Sequence, residues 1–301
     1  MIASSVEWIA REVDDDALVL DVGGWAKPFR RADVVLDQMP YESRGLYGFD
    51  GEGTERFDEA SWICRDICDR TPWPFADGTF DFAVCSHTLE DVRDPVWVCA
   101  ELVRVAKAGY IEVPSRLEEQ CYGIQGPWVG WGHHHWLADV APGSIEFVFK
   151  HHVMHGMPAA HFPPDFYGTL RDDERVQSLW WEGSFTASER TFVDAEGLDT
   201  FLASFVSQEL RRRGLARSLR RAAASSDAAS ARGGTGGSVA TDGAVTDGAL
   251  LEEAGPARAG QGGATITRLP LRRAARRARR ASAALSARAH RVRQGGEHRH
   301  P

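Results

Sequence analysis

Asp21, Gly23, Gly24 and Asp37 stand at the ends of two apolar runs, Leu18-Val-Leu-Asp-Val-Gly-Gly24 and Ala32-Asp-Val-Val-Leu-Asp37. A glycine pair lets backbone approach a ligand closely, and an acid at a strand end can accept both hydroxyls of a ribose. The pattern points to a nucleoside-bearing ligand at the carboxyl ends of two parallel strands. A dinucleotide fits poorly. It needs Gly-x-Gly-x-x-Gly so that a pyrophosphate rests on a helix N-terminus, and here Trp25, Ala26, Lys27 and Pro28 follow the glycines. The connection between the runs, roughly ten residues, is too short for a long phosphate-binding helix. Read alone, Gly23-Gly24 also suits a tight turn with no ligand.

A second set of reactive groups follows the apolar run Phe80–Cys85: Ser86, His87 and Glu90. Glu112 ends a further apolar run, and His133-His-His135 precedes Trp136. His87, Glu90, Glu112 and the histidine trio are candidate bases. Glu90 also suits a cap for the helix that follows it, and His87 a packing role. Consecutive histidines on a strand point to opposite faces, so at most two of the three converge easily. No metal site is assigned from this pattern. A Cys85–His87 nucleophile pair lacks a visible orienting third group.

The elements that must position these groups alternate. Val6–Val13 reads as a short helix. Leu18–Val22, Asp33–Leu36, Trp62–Ile67, Phe80–Cys85 and Gly109–Val113 read as strands, apolar without alternation, as in a sheet covered on both faces. Pro95–Lys107 reads as a helix, with Val96, Cys99, Leu102, Val103 and Ala106 at helical spacing and Pro95 in its first turn. Ser144–Lys150 and Gln177–Phe185 suit strands, and Ala195–Arg213 a helix with arginines at its C-terminus. His151–Asp173 reads as irregular.

Composition sets the limits. The 301 residues contain five cysteines and no Cys-x-x-Cys. Four cysteines sit in or beside apolar runs, where a reduced thiol behaves as a small hydrophobe. No run of roughly 18 apolar residues exists to span a membrane. The first residues lack the basic start of a signal peptide, so a cytoplasmic location is expected. Residues 1–213 hold 37 acids against 19 basic residues, and residues 214–301 hold 6 acids against 16 arginines. The acidic body should repel nucleic acid and anionic membrane. From residue 214 to 263 no aromatic residue occurs. A segment of this composition cannot offset its ordering entropy, so a disordered, arginine-rich tail is expected over 214–301.

Between Arg65 and Ser115 the chain reads Arg-Asp-Ile-Cys-Asp, then Pro74-Phe-Ala-Asp-Gly-Thr-Phe-Asp81, Ser86-His-Thr-Leu-Glu90, Asp94-Pro95 and Glu101-Leu-Val-Arg-Val105. In this order and spacing it resembles the class I S-adenosylmethionine-dependent methyltransferases, specifically the type 11 group, over residues 15–116. The resemblance implies a Rossmann-like α/β fold: a doubly wound, mostly parallel seven-stranded sheet, its last strand antiparallel. It implies S-adenosylmethionine as cofactor, with Asp21, Gly23 and Gly24 against the methionine part and Asp37 on the ribose. Asp66 and Ile67 would meet the adenine, Asp69 being the alternative acid. Ser86 and His87 would lie beside the cofactor and Glu90 on the same rim. His87, Glu90 and His135 are then the candidate catalytic groups. Trp25 and Lys27 stand where small residues are usual, and a tryptophan there either stacks on the cofactor or fills its pocket.

The expected organisation is a methyltransferase domain over 1–213, with a substrate cover at about 117–175, and the tail. The expected reaction is methyl transfer to a small or medium polar acceptor, such as a sugar or glycan. Two alternatives remain at this point. One is a cofactor-binding module without turnover. The other is a nucleic-acid-associated methyltransferase tethered by the tail.

Overall fold

The computed structural model describes residues 1–232, with side chains to Gly214. One compact unit holds Met1–Val206, and a second begins at Ser207. The first unit is built on a six-stranded sheet. In chain order its strands are β1 (Val19–Val22), β2 (Val34–Asp37), β3 (Trp62–Cys64), β4 (Phe82–Ser86), β5 (Ala108–Pro114) and, after two more strands, β8 (Val176–Glu182). Their spatial order is β3-β2-β1-β4-β5-β8, parallel except for antiparallel β8.

Both faces of this sheet are covered, which is why its parallel strands are mostly apolar and buried. Leu18, Leu20 and Val22 share one core with Leu36, Ile111 and Val113. Val19, Val35 and Val84 turn to the other face, as the two-residue period of a strand requires. The helix α2 (Pro95–Val105) packs Val98, Cys99, Leu102 and Val105 onto the first face. It starts where Asp94 accepts the Trp97 N–H at 3.0 Å, with Pro95 in the first turn, where a missing N–H costs nothing. Asp94, not Glu90, is therefore the cap. On the other face lies α1 (Ala3–Glu12), whose Ile9 is fully buried and whose Trp8 packs on Trp180. The rest of that face is covered by aromatic residues, including Phe29 and Phe57 from loops and Trp62 from β3.

The sheet has six strands, not the expected seven. The strands β6 (Trp136–Ala141) and β7 (Ser144–Phe149) close on each other as a hairpin, and β7 pairs in parallel with β9 (Thr186–Glu189). The hairpin turn contains Gly143 at φ +73°, a conformation glycine adopts at no steric cost. This small sheet buries Trp136, Ala138, Ile145 and Phe147 against the first face. The short helices α3 (Arg116–Glu119) and α4 (Asp172–Arg175) precede β6 and follow β7, and three 3-10 turns break up the stretch expected to be irregular.

The last helix, α5 (Ala195–Arg232), passes the expected end at Arg213. The added segment is rich in Ala and Arg, both strong helix formers. In the second unit, Glu209 pairs with Arg212 and Arg213 one turn away. The remainder of the expected tail, 233–301, lies outside the described residues. Among the described residues no helix is long and apolar enough to cross a membrane.

Candidate functional site

A cavity of about 910 Å³ opens at the carboxyl ends of the parallel strands. The sheet order reverses between β1 and β4, and ligands of open α/β sheets bind at such a switch point. Asp21, Gly23, Gly24, Asp37, Asp66, Ile67, Ser86, His87, Glu90 and His135 all line it. These ten expected residues share one cavity, whereas Glu112 and Asp69 are not on its wall.

The two glycines are demanded by the protein's own packing. Gly23 has φ +75°, and a Cβ there would sit 2.2 Å from Thr88 Oγ1 across the switch point. A Cβ on Gly24 would sit 2.3 Å from Asp21 Oδ2. Asp21 itself is buried and accepts the Phe29 N–H at 2.8 Å. Burial pushes its carboxyl up to about 7, against the pull of that hydrogen bond, with Asp50 and Asp37 adding repulsion.

Asp37 ends β2 and accepts two backbone N–H groups, from Trp25 at 3.0 Å and Met39 at 2.8 Å. Burial raises its carboxyl despite them. Trp25 lines the cavity, and its indole N–H is tied back to Ser43 at 2.8 Å. Lys27 reaches Asp50 at 2.6 Å. Asp66 accepts the Cys68 N–H at 2.8 Å and pairs with Arg93 at 2.7 Å. Ile67 beside it is buried in the core.

His87 sits in the left-handed region, φ +50°, immediately after β4. Its ring lies between two buried carboxylates, 3.5 Å from Glu90 and 3.3 Å from Glu112. Burial alone would lower the imidazole, but hydrogen bonds and charge from Glu112 and Glu90 carry it up to about 10. The two carboxylates favour the protonated imidazole, the form that donates from both ring nitrogens. Glu112 is held down to about 2, its burial outweighed by His87, the N-terminal ammonium and Tyr110. Glu90 is buried, and its carboxylate faces the His87 ring at 3.5 Å.

The third wall comes from 118–135. Glu118 accepts the Trp131 indole N–H at 2.9 Å. His134 meets Glu119 at 2.7 Å, and Lys150 pairs with the same carboxylate at 2.7 Å. Sequence reasoning missed Thr88, Asp91, Glu118 and Trp131 on the cavity wall, and Glu119 behind His134. Thr88 lies within the quoted segment Ser86–Glu90 and Asp91 directly after it. Only the folded chain reveals that they share this cavity with Glu118 and Trp131.

Residues 49–111 match the family model of a methyltransferase domain. No curated protein sequence matches the chain. Solved structures are similar at low identity, three among them as follows. A putative methyltransferase from Bacillus halodurans C-125 is 13% identical over 59% of this chain and 93% of its own, with a TM-score of 0.31. A putative methyltransferase of Haloferax volcanii, solved in complex with the Trm112 methyltransferase activator, is 20% identical over 38% of this chain and 52% of its own, with a TM-score of 0.28. An S-adenosylmethionine-dependent methyltransferase from Aquifex aeolicus is 18% identical over 37% of this chain and 64% of its own, with a TM-score of 0.24. The chain thus spans about half the length of the Haloferax protein. Residues 49–111 of the chain thus carry the pattern of a methyltransferase domain, set within the sheet of order β3-β2-β1-β4-β5-β8.

Proposed function

We propose that the chain transfers a methyl group from S-adenosylmethionine to a small or medium polar acceptor. The observation that carries this reading is the cavity at the strand ends, lined by Asp21, Asp37, Asp66, His87, Glu90 and His135. Its volume suits a ligand of nucleoside size. The donor set suits the ligand too, because carboxylates can accept hydroxyl and amino hydrogens and can face a positive charge. Trp25 leaves the space open, since its indole is anchored to Ser43.

S-adenosylmethionine supplies an activated methyl group when bound. The protein then has three tasks: to align the acceptor, to exclude water and to manage one proton. Asp37 would hold the ribose hydroxyls, Asp66 and Ile67 the adenine, and Asp21 with the Gly23-Gly24 turn the positively charged methionine end. Ser86 would lie beside it. His87, kept cationic by Glu90 and Glu112, orients groups by donating. Glu90 and His135 are the groups able to take a proton from an acceptor oxygen or nitrogen.

Trp131 and the histidines of 133–135 supply an amphipathic wall suited to a polar metabolite, such as a sugar or glycan. The acidic body disfavours nucleic acid as acceptor. Incubation with methyl-labelled S-adenosylmethionine and a panel of sugars, glycans, carboxylates and amines tests this. Label transferred to one acceptor class, and lost in Glu90→Gln, supports the reading. Cofactor binding with no transfer to any class would replace it with a binding module.

A further inference from the structure

We propose that Asp91, His133 and His134 form a binding site for one divalent transition-metal cation at the acceptor end of the cavity. Asp91 follows Glu90 in the loop after β4, and the two histidines lie in the loop before β6. One ligand atom of each lies within 4.8 Å of the others. His134 Nε2 and Asp91 Oδ1 are 3.8 Å apart. Two ligands about 2.1 Å from one ion can stand at most about 4.2 Å apart. Closing the set therefore needs only a small rotation of His133, which is exposed, toward the buried His134.

Three observations point to a ligand here and not to chance proximity. First, Asp91 Oδ1 is buried and has no hydrogen-bond partner, although it faces His134. Buried unpaired carboxylate oxygens are costly unless a cation or donor meets them.

Second, the ring of His134 is already oriented from behind. Its Nδ1 meets Glu119 Oε1 at 2.7 Å, which leaves Nε2 facing Asp91. Glu119 is itself fixed by Lys150 at 2.7 Å, and Lys150 also donates to the Trp131 carbonyl at 2.6 Å. A carboxylate behind a histidine in this way sets the tautomer that a metal ligand needs.

Third, the two loops are clamped at positions adjacent to the ligands. The His135 and Trp136 N–H groups both donate to the Glu90 carbonyl, at 2.7 and 3.2 Å, and the Trp136 indole donates to the Val92 carbonyl at 2.8 Å. Two imidazoles and one carboxylate are the three-ligand set that leaves coordination positions open. Those positions would face the cavity, where an acceptor oxygen can occupy one.

The test titrates the full chain, freed of metal by chelation, with Zn²⁺ in a calorimeter, and with Co²⁺ followed by visible absorption. One tight site is expected, with the absorption of an ion bound by nitrogen and oxygen ligands. Asp91→Asn and His133→Ala should each weaken that site at least about tenfold, and Glu119→Gln about 10–100-fold. His152→Ala, a control for the other histidines, should leave it unchanged. Because His133 is exposed, its variant is expected to fold, and thermal melts verify this. Equal affinity and spectrum in His133→Ala and Asp91→Asn, or no tight site in the native chain, would overturn the proposal. S-adenosylmethionine binding to the metal-free chain is measured separately, so loss of the metal reading and loss of the cofactor reading give different results.

Discussion

Replacing Asp21 by Asn should make the protein more stable at alkaline pH while weakening cofactor binding. The carboxyl is buried at the end of β1, and burial raises it from 3.8 to about 7. A raised carboxyl binds its proton more tightly in the folded chain than in the unfolded one. Its contribution to stability is therefore fully present below 3.8 and is lost as pH climbs through about 7. At about 1.4 kcal/mol per pH unit, the full loss is about 4 kcal/mol, of which about 3 kcal/mol falls between about pH 5 and pH 8.5. Asparagine keeps an acceptor for the Phe29 N–H but carries no charge. Urea denaturation followed by tryptophan fluorescence should show the Asp21→Asn variant gaining about 3 kcal/mol on the native chain over that interval. Parallel pH profiles, within about 1 kcal/mol, would refute the idea that Asp21 is a strained buried charge. The functional reason to keep such a charge is a cationic ligand. Binding of the positively charged cofactor would lower the Asp21 carboxyl again and release a proton below about pH 7. Calorimetry in buffers of different ionisation heat detects that proton, and the Asp21→Asn variant should not release it.

Other consequences follow from the same geometry. Gly23→Ala places a methyl group 2.2 Å from Thr88 Oγ1 at φ +75°. It should cost about 2 kcal/mol or more in urea denaturation, and less when Thr88 is replaced by Ala. His87→Gln should lower the melting temperature at neutral pH, because it strips the cation from Glu90 and Glu112. The pair stabilises fully below 6.5 and fades as pH rises through about 10, so the melting gap should narrow there. A gap that stays constant would show that His87 acts by packing alone. Arg93→Ala should free Asp66 from its 2.7 Å pairing and shift cofactor affinity, whereas Asp69→Ala, off the cavity wall, should leave affinity unchanged in the same titration.

The parallel half of the fold was legible because it is written in local signals. Apolar runs ending in Asp21 and Asp37, the Asp94-Pro95 start of α2 and its apolar spacing each specify an element without reference to the rest of the chain. The hairpin β6–β7 was half legible: Ile145, Phe147 and Phe149 alternate, but Trp136-Leu-Ala138 reads as a plain apolar patch. The strand β9, Thr186-Ala-Ser-Glu189, carries no apolar period, and only its pairing with β7 makes it a strand. The site divides in the same way. Residues at strand ends were legible because topology gathers strand ends. The meeting of Asp91 with His134 was not, because it depends on the clamp between Glu90 and residues 135–136, more than forty positions away. The charge state of His87 was also hidden, since Glu112 reaches it from the adjacent strand β5.

The central claim is that the cavity at the strand ends binds S-adenosylmethionine through Asp37. Isothermal titration of the full chain with S-adenosylmethionine, beside Asp37→Ala, tests it most directly. Saturable binding at one site, weakened at least about tenfold by loss of the hydrogen bonds to the ribose, is the predicted result. No binding to the native chain, or equal binding in Asp37→Ala, would contradict it.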